Sequence, residues 1–88
     1  HVGRPPPSEA LRDSATRIDE QLARAWALVF AGRSKDALAV IEPAVRAAEA
    51  AGHGPTKAQA KLALATAYSR LDRAEEAERA AFEAVWLA

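Results

Sequence analysis

Few residues in this chain carry groups that could do chemistry, and their spacing speaks against a catalytic centre. His53 lies in the run Gly52-His53-Gly54-Pro55, with no Asp, Glu or second His at ligand spacing. A protein metal site draws on at least three side chains, so His53 reads as a solvated loop histidine. Glu75, Glu76 and Glu78 could imitate the paired carboxylates of general acid–base catalysis. At the start of a helix they more simply serve its dipole and its solvation. Ser8, Ser14, Ser34 and Ser69 have no histidine in helical register to act as their base. Cysteine is absent, which removes disulfides and thiolate metal ligands. The sequence predicts no catalytic residue, no metal and no cofactor. A regulatory site for a small ligand would need converging polar groups, and Gln21, Arg24, Lys61 and Tyr68 are the set available.

With 88 residues the chain is one small domain, able to bury only ~60% of the surface its unfolded form exposes. Alanine, at 24 residues, supplies much of the apolar half. It favours helix and close helix approach more than it adds hydrophobic area. Twelve basic and twelve acidic residues cancel and are interspersed. No basic face for nucleic acid or an anionic membrane results, and no apolar run reaches the ~20 residues of a membrane span. A cytoplasmic protein that binds neither nucleic acid nor membrane is expected. Methionine is absent and the chain ends inside a helical pattern at Val85-Trp86-Leu87-Ala88. We therefore expect a piece of a longer protein, with residues 1–7 a disordered or extraneous lead-in.

Four helices are predicted, over residues 9–31, 35–51, 56–71 and 74–88. Ser8 is the expected cap of the first, and Leu11, Ala15, Ile18, Leu22, Ala25 and Val29 recur at spacings of three and four as its apolar stripe. Asp13 with Arg17 and Glu20 with Arg24 support it on the wet side. Gly32 ends it as a left-handed cap. Ser34 should cap the second helix, whose apolar face is Ala37, Leu38, Ile41, Ala44, Val45 and Ala48. Pro43 falls inside that stripe, and because the stripe continues in phase across it we expect one kinked helix rather than two. Thr56 with Gln59, and Asp72 with Glu75, match the capping box for the third and fourth helices. The third should bury Leu62, Ala65, Tyr68 and part of Leu64 and Leu71; the fourth, Ala77, Ala81, Ala84, Val85 and Ala88.

The second half of the chain repeats the first at an offset of 40 residues. Leu22/Leu62, Ala25/Ala65, Arg33/Arg73, Ala37/Ala77, Ala44/Ala84 and Val45/Val85 coincide, and so do the helix breaks at Gly32-Arg33 and Asp72-Arg73. A repeat of this length is the mark of a helical solenoid, in which hairpins bury their apolar faces on one another.

On these residues the chain resembles the tetratricopeptide repeat family. Leu64, Ala65, Tyr68, Ala77 and Ala84 fall at the family's places in the second unit, residues 56–88. Ala25, Leu28, Gly32, Ala37 and Ala44 do so in the first, residues 19–52. Gln21 and Lys61 stand where a large aromatic is usual, and the period exceeds the common spacing of about 34 residues. The run Ala31 to Pro55 also resembles the longer, alanine-rich repeats attached to bacterial serine/threonine kinases, although no kinase motif is present. The resemblance implies an all-α, right-handed solenoid of two antiparallel hairpins with an extended first helix. It further implies a scaffold for a protein or peptide partner in a signalling protein, not an enzyme. Its groove would be lined by Asp19, Leu22, Trp26, Val29 and Phe30, then Gln59, Leu62, Thr66, Ser69 and Arg70. With Leu22 and Leu62 at places where relatives clamp a carboxylate, the ligand would be held by apolar contacts.

Two apolar surfaces look uncovered within one copy: Leu11, Ala15 and Ile18 on the first helix, and Phe82 with Trp86 on the last. Both are candidate surfaces for a further repeat or for a homo-oligomer, most simply a dimer. The rival architecture is a self-associating four-helix bundle, in which the first and last helices would share one core.

Overall fold

The turns that separate the helices are built from the same backbone device, placed twice. The computed structural model describes residues 7–52 and 54–86, with only the backbone of Pro7, Ser8, Ala10 and Leu11. Four helices result: α1 (Pro7–Phe30), α2 (Ser34–Ala51), α3 (Gly54–Arg70) and α4 (Ala74–Trp86). After α1, Gly32 takes φ +80°, its N–H donates to the Val29 carbonyl and that of Arg33 to the Leu28 carbonyl, at 3.0 and 2.8 Å. This pair of bonds satisfies carbonyls that the helix end leaves open. After α3 the pattern recurs, with Asp72 donating to Ser69 and Arg73 to Tyr68 at 3.2 and 2.9 Å. Here Asp72, not glycine, adopts the left-handed conformation, at φ 59°.

Capping is where expectation and structure part. Pro7 opens α1, a place that suits a residue without an N–H, so Ser8 is inside the helix rather than its cap. Arg33, not Ser34, stands at the cap position of α2 and makes no side-chain cap bond. Its guanidinium instead donates to Asp36 at 2.8 Å. Arg73 repeats this forty residues on, donating from Nε to Glu76 at 3.0 Å, so Asp72 and Glu75 form no capping box. Thr56 and Gln59 form none either, because α3 begins two residues earlier at Gly54 and Thr56 is buried within it. Gly52 closes α2 at φ 72°. Residues 1–6, His53, Leu87 and Ala88 lie outside the described residues, as do the side chains of Ser8 and Leu11.

Packing proceeds in chain order. α1 packs on α2, α2 on α3 and α3 on α4; α1 also touches α3, while α4 touches neither α1 nor α2. A four-helix core shared within one chain would bring α1 against α4, and the described residues show no such contact. The principal extents, 52 × 26 × 14 Å, describe a flat row. Ile18, Leu22, Ala25 and Val29 of α1 meet Ala37, Leu38, Ile41, Ala44, Val45 and Ala48 of α2 in one core. Pro43 stays exposed on a single helix, and the stripe is buried in phase on both sides of it.

α3 supplies Ala60, Ala63 and Ala67 to that core, with Leu64, Tyr68 and Leu71 partly buried against it, while the expected Leu62 takes no part. Leu62 is exposed and Tyr68 half-buried. Small buried residues line more than one flank of α3, Ala65 besides Ala60, Ala63 and Ala67, so no single stripe dominates. In α4 only Ala80 is fully buried. Ala77 and Ala84 are half-buried, and Ala81 and Val85 are exposed, against the inward face expected for them. On α1, Ile18 is in the core rather than on an open oligomer surface, and Ala15 is half-buried.

Equivalent turns with different residues at the left-handed place make a paired test. Gly32→Ala should lose about 1 kcal/mol, because a side chain disfavours the left-handed region even though an added Cβ meets nothing within 4 Å. Asp72→Gly should gain about 0.5–1 kcal/mol by removing that same penalty. Urea unfolding of both variants checks the opposite signs.

Candidate surfaces and their geometry

The groove residues expected from the resemblance separate into core and surface. Leu22 and Val29 are buried in the α1–α2 core and can contact no partner. Trp26 is half-buried against that core and stacks on exposed Phe30, with ring centroids 5.8 Å apart. Asp19 and Gln59 are exposed. Thr66, Ser69 and Arg70 do come together, but with α4 rather than with α1. Along with Ala65, Ala77, Glu78 and Ala81 they line an open concavity of ≈ 380 Å³. Thr66 spends its hydroxyl on its own helix, donating to the Leu62 carbonyl at 3.0 Å.

Comparing the two repeat units position by position identifies what sequence reasoning missed. Leu22 is 4% exposed and its counterpart Leu62 53%; Val45 is 8% exposed and Val85 74%. Ile41 is buried where Ala81 is exposed, and Val29 where Ser69 is exposed. In the first unit this flank lies under α3; in the second, no described helix follows. The identical residue types at matched places concealed the difference, since only the order of packing determines which unit is covered. Phe82 and Trp86 are also exposed, 6.0 Å apart between centroids. They stand at the places of Glu42 and Arg46, which remain exposed in the covered unit.

The ligand-like polar set does not converge. Gln21 and Arg24 face solvent on α1. Tyr68 lies beneath the Arg73 guanidinium, 4.8 Å from ring centroid to carbon. Lys61 bridges three helices, with its Nζ 3.0 Å from Glu83 of α4 and 3.4 Å from Glu49 of α2. Partial burial opposes its charge, but the hydrogen bond and charge of Glu83, joined by Glu49, outweigh that and raise the ammonium above its ordinary value. Ser34 and Thr56 are the buried polar residues among those described. Glu76 is taken by Arg73, while Glu78 borders the concavity. No three described His, Asp or Glu side chains gather as metal ligands. No described helix is long and apolar enough to cross a membrane.

Comparison of the chain with protein-family models, with curated proteins and with solved structures gave no match. The likeness to tetratricopeptide repeats therefore rests on the residues quoted above.

Lys61 offers a pH test with a fixed sign. A cation whose folded pKa is raised stabilises the fold fully below its unfolded pKa, and that contribution disappears as pH rises through the folded value. Solvent screens the pair, so Lys61→Met should cost about 0.5–1 kcal/mol at pH 7. The difference between wild type and variant should shrink above pH 10.5, the ordinary lysine value. Denaturant melts across pH 7 to 11 read both effects.

Proposed function

We propose that this chain is a protein–protein interaction module of tetratricopeptide type, which holds a partner through exposed apolar surface and performs no chemistry. The observation that carries this reading is the placement of large exposed apolar side chains. Leu62, Phe82, Val85 and Trp86 all lie on the last two helices, with Phe30 at the end of α1. Apolar surface concentrated in this way marks sites of association, and aromatic residues are frequent anchors there. The unconverged polar groups give a small-ligand site no comparable support. A place within a larger signalling protein, such as a kinase-linked scaffold, is the part of the proposal that rests on family resemblance alone.

Photo-crosslinking in the native host tests this. Benzoylphenylalanine at position 62 or 85 should give protein adducts well above those from position 35 or 46 on the outer side of α2. An adduct with another protein or with a second copy supports the reading. Equal yields from all four positions, or none from any, would contradict it.

A further inference from the structure

We draw no further inference here: the strongest candidate, the Phe82–Trp86 pair exposed on the outer face of α4, is an unpartnered apolar patch and nothing in the structure shows what covers it.

Discussion

Close approach of α3 to its neighbours is the constraint on which the rest of the structure depends. Ala60, Ala63 and Ala67 face the first hairpin, and Ala65 faces away from it, buried outside that core. With methyl groups on both flanks, α3 can serve as the middle of a row. A bulkier residue at any of these places would overpack the seam at a cost of about 1–3 kcal/mol. The same alanines bury little apolar area each, so no single interface is strong. α4, which touches α3 alone, has the fewest contacts to hold it. Lys61 partly offsets this, since its ion pairs reach forward to Glu83 and back to Glu49.

From a linear arrangement it follows that the two ends must differ from the middle and can differ from each other. The outer face of α1 presents Thr16, Glu20, Ala23 and Ala27 to solvent, a face wet enough to stand alone. At the other end, α3 and α4 present Leu62, Ala81 and Val85. A terminal unit of a repeat array needs a polar outer face to remain soluble. The first end meets that requirement and the second does not. The two ends of the row of described helices therefore differ in polarity.

Much of the helix order was legible in the sequence. The stripe from Ile18 to Val29 and the stripe of α2 are strong because each faces one core, and Gly32 announced its own turn. Pro43 was readable for the same reason, as the phase of Ile41, Ala44 and Val45 carries across it. Caps were read less well. Ser34, Thr56 and Asp72 are the residue types that cap helices, but Arg33 stands at the cap position of α2 and Thr56 lies inside α3. Burial on α3 and α4 was the larger error. Leu62 and Val85 are as apolar as Leu22 and Val45, and periodicity assigns them inward equally. Whether they are covered depends on which helix follows them in space, which residue type does not encode.

Single cysteines measure the open flank most directly, since the chain has none of its own and one thiol reports one place. Leu22→Cys and Val45→Cys should react with a thiol reagent only through unfolding, slowed by orders of magnitude relative to denatured protein. Leu62→Cys and Val85→Cys, in dilute native protein, should react at close to the denatured rate. Equal protection at positions 45 and 85 would contradict the linear arrangement, because α4 would then share a core that the row of helices does not provide.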